Sequence, residues 1–551
     1  MTRTAGHARP VSAKVQFALA SLLGLVGTAA HAQSAPALSC DAAGIGAVKL
    51  KADGVTPQIL SVSTGTAGQV NYCLVKVRVP KAVNIWVGLP LGGAWNGRWQ
   101  SVGGGVYAGA ANVPTEALRE GYAAATTDTG HAGGRPGVPV PMLDGSFAML
   151  PDGNPDVATQ KDFASRSEHL MAVIGKELVQ DFYQRAPAYS YWNGCSTGGR
   201  QGLRMAQDYP QDYDGILAGA PAIHWDRFQA AMLWPQVVQQ RHNDGPVGGG
   251  APAVMAAKYR LATSHALAAC DALDGVTDGV LTDPRRCGYL TADDPTVTLP
   301  TCTAGDGSCL TPHEAAAIDR IWQGPVECGG DADQCAAPET ASRALTGRGP
   351  KRLWYGEVRG TDLMALAGPQ PFAVAIEQPR FWVYFDPNWD WHQVIGVPEF
   401  IAFFQDTIDK VGPMMASDNP DLAAFRRHGG KLVLYHGWSD QLIMPQGTID
   451  YYDRVSAKLG GGYARTQQFA RLFMAPGVGH CAGGVGPQPQ RPFDAVVNWV
   501  EKGVAPETIL ASRTVNGATQ TRPLCPYPAV ARWKGTGSTD EAENFTCVTP
   551  K

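Results

Sequence analysis

The chain has 551 residues, of which 65 are glycines, about 12 % against the usual figure of roughly 7 %. Its 14 tryptophans, 17 tyrosines and 16 phenylalanines supply enough large apolar surface to exclude an intrinsically disordered chain. Lys and Arg number 45 against 49 Asp and Glu, and this net charge of −4, with no basic run, argues against a nucleic-acid-binding protein. The composition therefore predicts a globular chain with a large core and many loops.

The first 32 residues have the pattern of a secretion signal. A basic region that ends at Lys14 is followed by an apolar stretch, 15–29, which is too short to span a bilayer. Ala30-His31-Ala32 is a small-x-small cleavage site before Gln33, and an uncleaved anchor is the alternative. We expect a periplasmic or secreted mature protein with no membrane segment. In an oxidising compartment the 12 cysteines predict disulfides rather than zinc, since the chain has no CxxC pair.

Short apolar strands alternate with amphipathic helices in two blocks. The predicted strands are 85–89, 99–102, 189–192, 216–218, 431–435 and 469–474, and the predicted helices are 165–184, 199–207, 448–459 and 494–502. This alternation predicts an α/β fold, a mostly parallel sheet with helices on both faces. From 223 to 418, closely spaced cysteines and Gly- and Pro-rich turns replace the alternation. We therefore predict one domain formed by 33–222 and 419–551, with a large inserted domain, 223–418.

The segment Gly194-Cys195-Ser196-Thr197-Gly198 fits the pattern G-x-S-x-G between a predicted strand and a predicted helix. Its two glycines allow a sharp turn that would expose the Ser196 hydroxyl and aim the helix N-terminus at developing negative charge. A Gly- and Ser-rich turn without catalysis is the alternative. The context of strand, turn and helix favours a nucleophilic serine.

A catalytic serine needs a base and a carboxylate that orients the base. Asp440 follows the predicted strand 431–435 and His480 follows 469–474, so both should lie at the sheet edge from which Ser196 emerges. The chain order Ser, Asp, His is that of the α/β-hydrolase arrangement. We interpret His436 as a packed residue that supports the Asp440 loop.

A glycine run follows the predicted strand 99–102 and could approach a substrate closely. The N–H of Thr197 and one N–H from 103–105 are predicted to bind the oxyanion, with Gly103 and Gly104 as the candidates. A plain turn is the alternative for the glycine run.

Carboxylates at spacings of three and four residues lie on a Gly-containing loop at Asp271, Asp274 and Asp278. Hard oxygen ligands of this kind suit Ca²⁺, although the EF-hand pattern is missing. A solvated acidic turn is the alternative that the spacing leaves open.

Aromatic residues are concentrated between 372 and 404. Ten of these 33 positions are aromatic, against 9 % of the whole chain. For each single residue a core position is the better interpretation, but the density suits a wall that grips a planar aromatic acid.

The cysteines that flank the serine and the histidine carry a resemblance to a known family. Cys195-Ser196, Asp440 and His480-Cys481 together resemble the CS-D-HC motif of the tannase/feruloyl esterase family of α/β-hydrolases, which includes bacterial mono(hydroxyethyl) terephthalate hydrolases. The segments 209–216, 218–221 and 522–528 extend the resemblance over essentially the whole mature chain.

This resemblance implies several features of the site. Cys195 and Cys481 would form a disulfide that holds the serine and histidine loops together, and sequence proximity adds the pairs 40–73, 270–287, 302–309, 328–335 and 525–547. The inserted domain would be a lid that covers Ser196 and holds the aromatic acyl group. A calcium ion would stiffen it, bound by the side chains of Asp271, Asp274 and Asp278 and the carbonyl groups of Val276 and Val280.

The implied activity is that of a serine esterase that forms an acyl-enzyme and releases an aromatic acid from a small ester of plant cell-wall or polyphenol origin. Feruloyl esterase is the first expectation, tannase acting on gallate esters the second, and mono(hydroxyethyl) terephthalate hydrolase the third. The third would need a lid cation, for which Arg359 and Arg380 are available. A secreted serine peptidase and a catalytically silent, calcium-stabilised binding protein are the alternatives from other classes. We expect no organic cofactor, no nucleic-acid or membrane partner, and a monomer or homodimer.

Overall fold

The computed structural model of the protein describes residues 38–108, 112–131, 134–135, 140–327 and 351–550. The predicted signal sequence, 1–32, and the predicted Cys328–Cys335 pair lie outside the described residues. The strands are β1 (Gln58–Ala67), β2 (Val70–Val79), β3 (Val83–Pro90), β4 (Arg98–Val102), β5 (Ala123–Thr127), β6 (Tyr189–Cys195), β7 (Gly215–Gly219), β8 (Val326–Glu327), β9 (Lys351–Arg352), β10 (Lys431–Gly437), β11 (Ala470–Ala475), β12 (Gln488–Pro489), β13 (Ile509–Val515), β14 (Ala518–Leu524), β15 (Val530–Trp533) and β16 (Phe545–Val548).

The helices lie between these strands, and half of those described, α5 to α11, lie between β7 and β10. They are α1 (Thr115–Arg119), α2 (Val157–Lys161), α3 (Ser167–Tyr183), α4 (Thr197–Asp208), α5 (Trp225–Ala231), α6 (Trp234–Asn243), α7 (Pro252–Cys270), α8 (Pro312–Gln323), α9 (Ala373–Gln378), α10 (Val397–Met415), α11 (Ala423–His428), α12 (Gln446–Leu459), α13 (Gly462–Thr466) and α14 (Pro492–Lys502). A π-helical turn, Asp162–Arg166, joins α2 to α3.

The main sheet has nine strands in the order β1-β2-β3-β5-β4-β6-β7-β10-β11. The pairs β5–β4, β4–β6, β6–β7, β7–β10 and β10–β11 are parallel, and the pairs β1–β2, β2–β3 and β3–β5 are antiparallel. Apolar side chains bury both faces of its centre: Trp192, Ile216 and Leu434 pack on one face, and Tyr191, Leu217 and Val433 on the other. Helices α3 and α4 cover the first face and α14 covers the second, so the predicted mostly parallel sheet with helices on both faces is confirmed.

The chain leaves the main sheet after β7 and returns to it at β10. Among the described residues of this interval, none adds a strand to the main sheet. Helices α5 to α10 instead form a second core, which also includes Tyr107, Phe163 and Met444 from the sheet side. The two ends of this insertion meet, because the N–H of Ser417 donates to the Ile223 carbonyl at 3.0 Å. The insertion is therefore anchored at its base and packs onto the loops beside the sheet.

Every cysteine among the described residues forms a disulfide. The pairs are 40–73, 195–481, 270–287, 302–309 and 525–547. These five predicted pairings are confirmed.

Strands at both ends of the chain are absent from the sequence prediction. β1 and β2 extend the sheet antiparallel at its N-terminal edge, and β12 to β14 form a separate sheet near the C-terminus. β1 carries mostly exposed side chains, and its pattern lacks the apolar run of a central strand. β14 places Arg522 beside the acidic loop 271–280, where its guanidinium lies 2.8 Å from Asp278.

Candidate active site

Ser196 sits on the sharp turn between β6 and α4. Its backbone has φ 62° and ψ −124°, a conformation that a non-glycine residue adopts only under constraint. The constraint is close packing: a Cβ on Gly194 would lie 2.5 Å from the Gly198 carbonyl oxygen, and one on Gly198 would lie 2.9 Å from the Gly104 oxygen. The two glycines of the G-x-S-x-G pattern are therefore required by the turn and by its contact with the loop 103–105.

The three predicted catalytic residues form one hydrogen-bonded chain. His480 follows β11, and its Nε2 lies 2.8 Å from Ser196 Oγ. Its Nδ1 lies 2.8 Å from Oδ2 of Asp440, which follows β10. Parallel strands β6, β10 and β11 bring the three loops to the same edge of the sheet. A serine, an imidazole and a carboxylate in this geometry can transfer a proton from the hydroxyl to the imidazole.

Asp440 is a fully engaged hydrogen-bond acceptor. Its Oδ1 accepts from the N–H groups of Leu442 and Ile443, each at 2.9 Å, and its Oδ2 accepts from His480 and from His436 Nε2, the latter at 2.9 Å. Burial alone would raise the pKa of Asp440, but the charge of His480 and the bonds from both histidines hold it well below its usual value. Asp440 is therefore ionised throughout the neutral range.

His436 supports this carboxylate from the strand end. It is fully buried, with Nδ1 2.8 Å from the Thr448 hydroxyl and Nε2 on Asp440. The interpretation of His436 as a packed residue beneath the Asp440 loop agrees with these contacts.

A disulfide joins the loops that carry the serine and the histidine. Cys195 and Cys481 are bonded with their Cα atoms 5.9 Å apart, although 286 residues separate them in sequence. Each cysteine is directly adjacent to a member of the hydrogen-bonded chain. The covalent bond therefore fixes the distance between the Ser196 and His480 backbones.

Of the three predicted oxyanion donors, only the N–H of Thr197 has no acceptor among the described residues. Thr197 begins α4, and among the described residues its N–H donates to no acceptor. The N–H of Gly103 donates to the Asn193 carbonyl at 2.9 Å, and that of Gly104 donates to Gln201 Oε1 at 3.0 Å. In this geometry both glycine donors are used to build the loop, and the assignment of Gly103 or Gly104 to the oxyanion stays a prediction. Within the described residues, the N–H of Gly105 has no such partner.

The buried polar residues beneath this loop were not found from the sequence. Gln201 and Arg200 lie in the first turns of α4 and are fully buried. Arg200 donates to the carbonyl groups of Phe163 and Ala164, both at 2.9 Å, within the π-helical turn. The available signal was an arginine and an amide directly after the G-x-S-x-G glycines, in a helix that should be buried.

The acidic loop packs against the histidine loop and the C-terminal strands. A cavity of about 30 Å³ is lined by Asp274, Val276, Asp278, Val280 and Thr282 together with Arg522. Burial raises the pKa of Asp274, and the neighbouring charges of Asp278 and Asp271 add to this effect. Among the residues that the structure describes, the three carboxylates do not all lie within 4.8 Å of one another, since Asp278 turns to Arg522 at 2.8 Å. The oxygen donors that line this cavity are of the kind that calcium prefers, and Asp278 would have to serve both such an ion and Arg522.

Most of the aromatic residues between 372 and 404 lie in the core of the insertion. Phe400, Phe403 and Phe404 are buried there, and Trp382 is buried against Tyr107 and Phe147 at ring distances of 6.4 and 5.5 Å. The two candidate lid cations are engaged by the insertion itself. Arg359 donates to the Tyr289 carbonyl at 2.6 Å, and Arg380 donates to the Trp389 carbonyl at 3.1 Å.

Comparison with known proteins extends over most of the chain. Residues 68–548 match the sequence profile of the family described as tannase and feruloyl esterase. A probable feruloyl esterase of Arthroderma benhamiae is 37% identical over 497 residues, which is 87% of this chain and 85% of the relative. A mono(2-hydroxyethyl) terephthalate hydrolase of Piscinibacter sakaiensis is 32% identical over 502 residues, 83% of this chain and 80% of the relative.

The fold is also found among solved structures. A crystal structure of an esterase from Aspergillus oryzae superposes with a TM-score of 0.75 at 25% identity, covering 89% of this chain and 97% of that one. Across the described ranges, no helix is long and apolar enough to cross a bilayer.

Proposed function

Because the chain belongs to the tannase and feruloyl esterase family and is a carboxylic ester hydrolase with an α/β-hydrolase fold, we propose that it hydrolyses esters of hydroxycinnamic acids in the manner of a feruloyl esterase. The observation that carries this proposal is the chain of hydrogen bonds from Ser196 to His480 to Asp440 at the edge of the sheet. The identity to a probable feruloyl esterase favours this acyl group over a gallate or terephthalate group.

The mechanism follows from the geometry. His480 Nε2 takes the proton of the Ser196 hydroxyl as its oxygen attacks the ester carbonyl, while Asp440 holds the imidazole and stabilises its positive charge. The N–H groups of Thr197 and Gly105 stabilise the oxyanion of the tetrahedral intermediate. His480 then protonates the leaving alcohol, and an acyl-enzyme remains. Water activated by His480 releases the aromatic acid.

A panel of substrates tests this function. The mature enzyme is assayed with methyl ferulate, methyl gallate, mono(hydroxyethyl) terephthalate and a peptide anilide, with Ser196→Ala as the control. We expect the highest kcat/KM for methyl ferulate and no turnover by Ser196→Ala. Preference for the gallate or the terephthalate ester would move the enzyme to another substrate class, and preference for the peptide would identify a peptidase. Turnover of none of them would contradict the proposal.

The pH dependence should report His480. Burial lowers the pKa of His480, but the charge of Asp440 and its hydrogen bond outweigh burial and raise the pKa above 6.5. Only the neutral imidazole can accept the serine proton, so kcat/KM is expected to fall as the pH decreases through a midpoint above 6.5. Initial rates between about pH 5 and about pH 9 measure this decrease of kcat/KM on the acid side of the pH profile. A midpoint below the usual histidine value would contradict the arrangement.

A structural calcium ion is the second part of the proposal. Asp271, Asp274 and Asp278 with the carbonyl groups of Val276 and Val280 would hold it, and it would supply rigidity rather than activate water. The site adjoins the histidine loop, since a Cβ on Gly477 would lie 3.0 Å from Val280 Cγ1. The ion would therefore stabilise the loop that carries His480.

Removal of calcium is expected to lower Tm by about 5 °C, because an ion bound only by the folded state stabilises it by about 2.7 kcal/mol at a hundredfold excess over Kd. Calorimetry with calcium and then with EDTA measures the shift. Asp274→Asn should abolish the response, and Asp306→Asn, in the exposed loop closed by the Cys302–Cys309 disulfide, should retain it. Equal Tm values for the wild-type protein in calcium and in EDTA would contradict the site.

Export to the periplasm or the medium is proposed on two grounds. The first 32 residues have the pattern of a signal sequence, and five disulfides are typical of an oxidising compartment. An aromatic ester from plant material is a substrate that such an enzyme could meet outside the cell.

A further inference from the structure

A buried network of hydrogen bonds links helix α3 to the glycine loop beside Ser196. Glu168, in the first turn of α3, has no solvent exposure and accepts from Gln201 Nε2 at 2.5 Å and from the Ser167 hydroxyl at 3.0 Å. Gln201 in turn accepts, through Oε1, the N–H of Gly104 at 3.0 Å. The loop 103–105 is therefore tied through two side chains, those of Gln201 and Glu168, to helix α3.

The orientation of the Gln201 amide is fixed by its two partners. The Gly104 N–H can only donate, so the amide must present its oxygen to it, and the amide NH₂ then faces the Glu168 carboxyl. If the amide were rotated, its NH₂ group would face the Gly104 N–H and its oxygen would face the Glu168 carboxylate. The amide also packs directly on the loop, since a Cβ on Gly103 would lie 3.2 Å from Gln201 Oε1.

We propose, on the premise of the esterase function above, that Gln201 is a positioning residue for the oxyanion hole and that Glu168 holds it in place. Gln201 uses the N–H of Gly104 to fix the loop whose next N–H, that of Gly105, is left for the oxyanion. This explains why an amide and an acid are buried beneath a loop of glycines, where neither can touch the substrate. It also explains why the Gly104 N–H donates to the Gln201 side chain and not to the oxyanion.

The surroundings of Glu168 support this role. Burial raises its pKa to about 7, and the charge of Arg200 partly opposes that effect. Arg200 is itself fully buried against the rings of Phe163 and Trp225, at 4.9 and 5.4 Å. Among the described residues, Tyr213, whose hydroxyl donates to the Ser101 hydroxyl at 2.8 Å, also interacts with Glu168. The network thus lies in a fully buried layer, where an unpaired donor is costly.

Two variants test the inference, and a third serves as a control. Gln201→Leu leaves the Gly104 N–H without an acceptor, and kcat should fall by about 10- to 100-fold with KM changed less than about threefold, because the oxyanion donors act only in the transition state. Gln207→Leu is the matched control: Gln207 lies at the other end of α4 and donates to the Ser417 carbonyl at 2.7 Å. It should lose stability without losing kcat.

Gln201→Glu adds a readout that a merely structural role would not move. While Glu168 and the new carboxyl share one proton, the new carboxyl can still donate to Glu168 and accept from the Gly104 N–H. Once both acids are ionised, the contact breaks, since like charges repel. The ratio of variant to wild-type kcat should therefore be near one at acid pH and fall as the pH rises through the pKa at which the coupled pair loses its shared proton.

The outcomes separate the inference from the proposed function. A kcat of Gln201→Leu within threefold of that of Gln207→Leu, or a kcat ratio of Gln201→Glu that does not change with pH, would overturn the positioning role while wild-type ester hydrolysis stands. If Gln201→Leu does not fold, the isosteric Gln201→Glu profile decides alone. A wild-type enzyme that hydrolyses no ester would overturn the proposed function and this inference with it.

Discussion

Replacing Asp440 by asparagine should lower kcat for ester hydrolysis by about 10⁴-fold. In the native site, Asp440 accepts four hydrogen bonds, two on each carboxylate oxygen. An asparagine must place its NH₂ group at one of these positions. If it faces the histidines, His480 Nδ1 has to accept rather than donate, so Nε2 carries the proton and cannot take one from Ser196. If it faces the backbone, two N–H groups of the loop lose their acceptor.

The control for this variant is Asp494→Asn. Asp494 forms an exposed pair with Arg491 at 2.5 Å, and its neutralisation should change neither kcat nor Tm appreciably. The measurement is kcat for methyl ferulate together with Tm for both variants. A folded Asp440→Asn enzyme that keeps kcat within about tenfold of wild type would contradict the role of Asp440.

The fold could be predicted where local pattern and tertiary environment agree. The parallel strands β7, β10 and β11 are apolar on both faces, and their hydrophobic runs, 216–218, 432–435 and 472–475, predict buried strands. β5 is different: its sequence, Ala-Ala-Ala-Thr-Thr, has weak strand propensity and is a strand only because β3 and β4 pair with it. The antiparallel β1 is likewise defined by its partner rather than by its own pattern.

The candidate site was predictable to the extent that its residues lie next to strand ends. Ser196, Asp440 and His480 each follow a strand, and parallel strands must bring such positions to one edge. The oxyanion loop was only partly predictable, because three adjacent glycines offer three donors and sequence spacing does not distinguish them. Which donor is used depends on Gln201 and Asn193, whose contacts with the loop are tertiary.

The Cys195–Cys481 disulfide should matter more for catalysis than any other described disulfide. We expect Cys195→Ser/Cys481→Ser to lower kcat by about 10²-fold, because a displacement of about 1 Å between reacting groups costs that much. Stability should fall by about 3–5 kcal/mol, since the bond closes a loop of 286 residues in the unfolded chain. The histidine loop keeps other contacts, such as the bond from the His480 N–H to Gln441 Oε1 at 3.0 Å. The sheet should therefore remain folded while the serine and the histidine separate.

The matched control is Cys40→Ser/Cys73→Ser, which removes a disulfide at the far edge of the sheet. It should lower Tm and leave kcat unchanged at a temperature where both variants are folded. Graded reduction of the wild-type enzyme should likewise abolish activity before the circular dichroism of the sheet changes. Equal kcat values for the two double variants would show that packing alone sets the distance from Ser196 to His480. If only Cys195→Ser/Cys481→Ser loses kcat, the disulfide is part of what holds the nucleophile and its base together.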